Sequence, residues 1–565
     1  MSTSSTKSGS GNKGRRQNVE SVGIGVSPSE DSASEGDIPK LAWRIGVVVT
    51  FLIAAVLRIY DLALVPMHHD EGVNGNFLVR LVREGYYQYD PANYHGPTIY
   101  YFTAAIPWTI KLLFGKAASE TYGLNTVTIR LVPVAFGLAT IWLIFLLRRQ
   151  LGSVATLSAG LLLALSPGAI YLSRYYIHET LFVFFTLGIV VGVLRFYDQR
   201  NGLYLVLAIG SAAFLFATKE TAMISVAVLI IALVCTFAYR RLMKMTDPGV
   251  DTRKTKNRKV TPTGYKAFIN DFGGSTALAI WVGASVLVFI AINFLFYSSF
   301  LTNYPKGIYD AISTFNFWSK TGKEAHVHSA ITYVSWLSKQ ELPLLLLGSF
   351  GGLLVVLKPK NALALFAGLW AFGLIAAYTL IPYKTPWLIL NFIVPLALIA
   401  GYAIEWLYDL DRSKLGIPLA VLGLAACFSA YKAINLNFIN YDNDNNSYVY
   451  VYAHTTRGLL KMVNEIDKIA RETGEGTQIG ISILSPDYWP LPWYFRNYTR
   501  VGYFGQMAPS TETLIIANTN QKAEIEANFG EVYRQVPSGD ADGSFDLRPG
   551  VRLLLYERRD RVKQF

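Results

Sequence analysis

Apolar runs about as long as a bilayer is thick recur between residues 43 and 433, and charged side chains are held to their ends. A hydrocarbon core of roughly 30 Å takes about 20 apolar residues as a helix, and only helices or closed barrels satisfy their own backbone there. A chain patterned in this way folds as a polytopic α-helical membrane protein. Its composition, 52% hydrophobic and 16% charged, excludes an ordinary soluble fold. The runs are Trp43 to Val65 and, approximately, 126–147, 153–172, 179–197, 203–218, 221–239, 276–300, 341–357, 361–381, 387–408 and 415–433, about eleven spans. The net charge of +12 does not point to nucleic acid, because Lys and Arg gather where the runs stop. That is the distribution the positive-inside rule requires of short cytoplasmic loops. Cys235 and Cys427 lie within apolar runs, where they are expected to pack, so no disulfide framework or cysteine-rich metal site is available.

Residues 1–40 are rich in Ser and Gly and poor in aromatics, which predicts a disordered tail. The first apolar run is too long and too far in for a signal peptide, so it is expected to stay as an anchor. Hydropathy alone would add a span at 98–114, but charge argues against it. With that segment in the interface, Arg148-Arg149, Arg195, Arg200, the loop from Arg240 to Lys266, Lys358, Lys360, Arg412 and Lys414 all fall on one side. The loop RRLMKMTDPGVDTRKTKNRKV makes that side cytoplasmic. After the first span, Val73, Phe77, Leu81 and Val82 recur at helical spacing while Arg80, Arg83 and Glu84 face elsewhere, which predicts a second interfacial helix.

This topology gathers Asp70, Glu71, His95, Arg130, Arg174, His178, Glu179, Lys219, Glu220 and Lys384 on the outer face. Read singly, each is equally a snorkelling residue or half of a structural ion pair. Together, cations at span ends and the acidic pair Asp70-Glu71 suit a lipid phosphate held at the bilayer surface beside a base.

The motifs MHHDEG, YHGPTIYY, TIRLVPVAFG and SPGAIYLSRYYIHETLFVF, in that order, resemble those of the GT-C superfamily of integral membrane glycosyltransferases. The nearest branch is that of protein O-mannosyltransferases and lipid A aminoarabinose transferases. YKTPWLILNF and WPLPWYFRNY are similar to a prokaryotic flippase-activity-associated, membrane-bound mannosyltransferase-like branch. The resemblance covers approximately residues 43–500. It implies Asp70 as the carboxylate that activates the acceptor, Glu71 as its assistant and Arg130 as a contact to the lipid phosphate. It further implies a single-phosphate polyprenyl sugar donor and inversion at the anomeric carbon. Arg174 and Lys384 join the phosphate site by charge and side. His95 stands in HGP where related enzymes often have HPP or KPP, which leaves its substrate-binding role open.

The residues alone suggest the same chemistry. A carboxylate takes the proton of an acceptor hydroxyl, which attacks the sugar carbon, and cations receive the departing phosphate. No glycine-rich loop with a Walker lysine is visible, so a nucleotide donor is not supported. A divalent metal is a minor alternative, since His68, His69, Asp70, Glu71 and His95 offer ligands. Adjacent His68 and His69 tend to point apart, however, and no H-x-x-x-H pair shares a helix face, so no cofactor is predicted. The outer loop containing His326 and His328 either binds a sugar or acceptor through its aromatics or is a packed interfacial belt.

Beyond 435 the pattern changes to helix-like LLKMVNEIDKIARE and strand-like QIGISIL, TLIIAN and VRLLLYERR. The expected organisation is a tail at 1–40, a membrane module at 41–434 and an outer α/β domain at 435–565. In that domain Asp487, Trp489, Trp493 and Arg496 either bind sugar rings or seat the domain on the membrane module. Three functions compete: a lipid-linked-sugar glycosyltransferase, a translocation factor for lipid-linked sugars, and a non-catalytic assembly subunit. The acidic pair favours the first, because a translocator has no need of a base on one face only. The expected partners are a polyprenyl-phosphate-linked sugar, membrane lipid and an acceptor that is a protein, lipid or glycan.

Overall fold

The structure, a computed structural model, describes residues 38–91, 95–243, 265–321, 327–410, 415–445 and 447–561. The expected tail, most of the basic loop after Arg240, His326, Arg412 and Lys414 lie outside them. Residues Ile38–Phe565 form one compact unit.

All the expected spans are helical. Among the described residues, eight helices are long and apolar enough to cross a membrane by themselves, and up to ten if two bent pairs each make one span. The shorter apolar helix Gly202–Phe216 is a further segment. The protein is therefore a multi-pass α-helical membrane protein. Pro386–Leu410 is its most enclosed span, while Lys40–Ile59 (α1) and Ser275–Tyr297 leave most of their side chains on the outside, where lipid would cover them. Cys235 and Cys427 are exposed on such surfaces, so they do not pack inside as the sequence suggested.

The bent pairs hold each other. Ser153–Leu165 and Pro167–Ser173 meet at 61°, because Pro167 has no N–H for the Leu163 carbonyl. Buried Arg58 of α1 fills that gap, donating from Nη2 to Leu163 O (3.2 Å) and from Nη1 to Ala164 O (3.0 Å). The Gly168 N–H turns instead to the Glu341 carboxylate (2.7 Å), which also accepts from Ser166 Oγ (2.9 Å). Glu341 itself sits at the 116° bend between Thr332–Gln340 and Leu342–Leu357. Backbone freed at membrane depth has to be re-satisfied within the protein, and here one break supplies what the other lacks.

Two helices follow α1 before the next span. His69–Glu84 (α2) begins with a reciprocal cap: His68 Nδ1 accepts the Asp70 N–H (3.2 Å) and the Glu71 carboxylate accepts the His68 N–H (3.0 Å). It ends at Gly85 with φ 71°, a left-handed position that glycine adopts freely. Val73, Leu81 and Val82 are buried and Arg80, Arg83 and Glu84 exposed, as the spacing predicts. The apolar face is covered by protein rather than lipid, however: by Thr98–Phe114 (α3) and by the short helix Leu491–Tyr494.

The C-terminal part is α/β. Strands Gly480–Ile483 (β1), Arg500–Tyr503 (β2), Leu514–Asn518 (β3), Tyr533–Gln535 (β4), Phe545–Arg548 (β5) and Val551–Arg558 (β6) form one sheet. Its order is β2-β1-β3-β6-β4, with β5 also on β6. β1 is parallel to β2 and β3, and the pairs with β6 are antiparallel. Helix Arg457–Glu472 covers it through Leu459, Met462, Ile466 and Ile469. Tyr441, Val449, Tyr450 and Val451 belong instead to the core of the membrane helices, so the segment after 435 is packed into the membrane module before the sheet begins.

Candidate active site

Asp70 and Glu71 share the first turn of α2, where the positive end of the helix dipole favours carboxylates, yet their surroundings are opposite. Glu71 is fully buried and bonds Arg130 through two oxygens, Nε–Oε1 at 2.7 Å and Nη2–Oε2 at 2.6 Å. It also accepts the Tyr176 N–H at 2.8 Å. Arg130 gives its remaining N–H groups to the carbonyls of Leu62, Val65 and Pro66. A guanidinium has five N–H donors, and all are taken inside the protein. Arg130 is therefore not a phosphate contact in this structure but the clamp that ties the end of α1 to the start of α2. The expected role of Glu71 as assistant base changes with it, since no solvent or ligand reaches this carboxylate.

Asp70 is left accessible. Its side chain is 29% exposed and has no Lys or Arg partner among the described residues; the His68 ring lies 3.9 Å from its carboxylate. Because His68 Nδ1 accepts the Asp70 N–H, the ring proton belongs on Nε2, which donates to Tyr452 O at 3.1 Å. His68 stacks on His454 with ring centroids 5.7 Å apart. His454 in turn bonds the Tyr175 hydroxyl. Burial, reinforced by His68 and Arg130, holds the His454 imidazole well below its usual pKa. The backbone of Asp70 is thus fixed by a segment nearly four hundred residues away.

Lys384 lies in the loop before Pro386–Ile389. It is buried and donates to Ile381 O at 2.6 Å and His328 O at 3.5 Å, with no carboxylate partner among the described residues. The same loop brings the Trp387 ring to 6.2 Å from His68 and sets Tyr383 within electrostatic reach of Asp70. Asp70 and the Lys384 loop therefore border one region.

The other residues do not join it. Arg174 caps the end of α1, donating to Tyr60 O at 2.5 Å and Asp61 O at 2.8 Å, with its guanidinium 4.8 Å over the Phe438 ring. These bonds turn it away from a phosphate. His95 pairs with Glu220 at 2.9 Å and lies against the His178 ring, and Lys219 pairs with Glu179 at 2.5 Å. Trp493 is buried and bonds Thr126 Oγ1 at 3.1 Å, so it seats the C-terminal part instead of binding sugar. Arg496 lies 4.3 Å over its ring, and Asp487 pairs with Arg548. Gly72 and Gly75 make the seat: a Cβ on either would lie 2.4 Å from Pro490 or 2.5 Å from the Trp493 ring. Trp489 remains half-buried, its ring 6.1 Å from His69. As for a metal, His68 and Glu71 are engaged as described, and no group of three or more His, Cys, Asp or Glu among the described residues is arranged to hold one.

The architecture matches solved membrane enzymes. The structure of ArnT from Cupriavidus metallidurans bound to undecaprenyl phosphate superposes with a TM-score of 0.58, over 93% of this chain and 100% of that one, at 13% identity. The apo oligosaccharyltransferase of Archaeoglobus fulgidus does so with 0.50, over 86% of this chain and 70% of that one, at 12% identity. The chain has the GT-C fold. Residues 104–248 match the family described as dolichyl-phosphate-mannose-protein mannosyltransferase. That stretch includes Arg130 and Arg174 but starts beyond Asp70 and Glu71. No curated protein matches the chain in sequence.

Proposed function

We propose that the chain transfers a sugar from a polyprenyl-phosphate carrier to an acceptor hydroxyl at the outer face of the cell membrane, with inversion at the anomeric carbon. The observation that carries this is the contrast among the acidic groups of that face. Glu71 and Glu179 are buried in pairs with Arg130 and Lys219 and Glu220 is bonded to His95, while Asp70 is accessible, rigidly held and without a Lys or Arg partner among the described residues, with only the His68 ring 3.9 Å away. The mannosyltransferase family match and the lipid carrier bound by ArnT support the donor class. Asp70 takes the hydroxyl proton, the oxygen forms its bond to the anomeric carbon from the far side, and the bond to the phosphate oxygen breaks. Lys384 faces the charge left on the phosphate. Nothing in this sequence of steps needs a proton for the leaving group.

Purified protein in lipid, given radiolabelled polyprenyl-phosphate sugars and cell-envelope extract, is expected to move label to an acceptor. Label that stays on the carrier with every sugar rejects the proposal. Lys384→Ala is expected to weaken donor binding about tenfold or more, the scale of one lost charge-assisted contact, and Lys384→Arg to recover part of it. Unchanged donor affinity in both would place the phosphate elsewhere.

The orientation belongs to the same reading: N-terminus cytoplasmic, α3 in the outer interface, and the C-terminal part outside. Single cysteines at Tyr122, Lys256 and Asn520, in a background lacking Cys235 and Cys427, are to be probed on intact cells with a membrane-impermeant thiol reagent. Labelling at 122 and 520 with protection at 256 is expected. The reverse pattern at 256 and 520 would put Asp70 on the wrong side.

A further inference from the structure

Beside Lys384 lies a cavity of about 320 Å³, at the low end of the roughly 300–1,000 Å³ of small-ligand sites. We infer that it holds the sugar ring of the donor, an inference that rests on the function proposed above. One wall is the helix Thr332–Gln340 with Ser335 and half-buried Trp336; the other is formed by Asp444, Asn445, Tyr448, Val449, Val451 and Tyr452. Trp336 offers an apolar ring face of the kind pyranose C–H groups stack on, braced edge-on by His328 at 5.4 Å and Tyr333 at 5.6 Å. Opposite it, the Asp444 carboxylate and the Asn445 amide N–H₂ have no side-chain partner among the described residues and suit ring hydroxyls as acceptor and donor.

Position selects the donor sugar over an acceptor glycan. His328 lines the cavity, and its carbonyl is 3.5 Å from Lys384 Nζ. A phosphate drawn to that ammonium is one bridging oxygen from its sugar, so the ring falls at the cavity mouth. Tyr452, on the far wall, gives its carbonyl to His68, the residue that caps Asp70. The cavity is thus lined both by the residue whose carbonyl Lys384 bonds and by the residue whose carbonyl holds His68.

The test compares two ligands in nanodiscs: bare polyprenyl phosphate and the polyprenyl-phosphate sugar that serves best in the transfer assay. Wild-type protein is expected to bind the sugar-bearing carrier about tenfold more tightly, the scale of one stacked ring with its hydrogen bonds. Ser335→Trp, which fills the cavity, and Trp336→Ala, which removes the platform, are each expected to abolish that preference while leaving the affinity for bare carrier unchanged; Ser335→Trp is expected to keep the Tm, and Trp336→Ala to lower it. A preference kept by both variants overturns the inference, as does a raised KM for acceptor with the donor preference intact, which would assign the cavity to the acceptor. Wild-type protein that binds neither carrier fails the function proposal itself, and this inference with it.

Discussion

Asp70→Asn is expected to leave the protein inserted, folded and able to bind its donor, and to lower the rate of transfer by about 10²–10⁴-fold, the range for loss of a general base. Asn keeps the size of the side chain and its compatibility with the first helical turn. The backbone N–H that bonds His68 and the carboxylate of Glu71 are untouched, so the cap of α2 survives. Only the ability to hold a proton at that oxygen is lost. Donor affinity, turnover and Tm are to be measured on the same preparation. Full turnover by the variant would remove the base assignment, and a matching fall in Tm would make it a folding effect.

The spans were legible because transfer of about twenty apolar residues into hydrocarbon dominates every local preference, and charge at their ends survives as a simple pattern. What the pattern could not carry was the inward use of charge. Arg58 lies in the first run with no partner near it in the sequence, yet it fills the gap left by Pro167 more than a hundred residues on. The pair Glu71 and Arg130 is 59 residues apart and is recognisable only once α1, α2 and the next span are in place. Hence a resemblance that marks Arg130 as important does not say for what. His95, Arg174 and Trp493 were likewise out of reach of a sequence reading: each finds a partner that only the tertiary fold supplies. Conversely, the Asp444–Tyr452 segment had no part in the sequence reading of the site, although its Tyr452 carbonyl bonds His68 Nε2. One signal was available there. The aromatic and asparagine-rich stretch NYDNDNNSYVYVYAH, placed between a span and a soluble domain, is too apolar in its second half for a free linker.

Arg130→Ala is expected to cost about 3–5 kcal/mol of stability, the penalty for leaving one member of a buried ion pair uncompensated. The loss would be seen as low yield and a large fall in Tm rather than as weakened affinity for donor. Glu71 would be left in a site with no solvent and no cation, and the carbonyls of Leu62, Val65 and Pro66 would lose their donor together. Arg130→Lys is expected to be nearly as damaging, since one ammonium cannot reach both carboxylate oxygens and three carbonyls. Removing both charges, as in Glu71→Leu with Arg130→Met, should recover part of the stability, because the unpaired charge is gone although the carbonyls remain unserved. Binding of bare polyprenyl phosphate decides between this and a phosphate role. Retained affinity in whatever fraction of Arg130→Ala folds supports the clamp. A stable Arg130→Ala protein with its affinity for bare carrier lost would return Arg130 to the donor site and require its bonds to Glu71 to open when the lipid arrives.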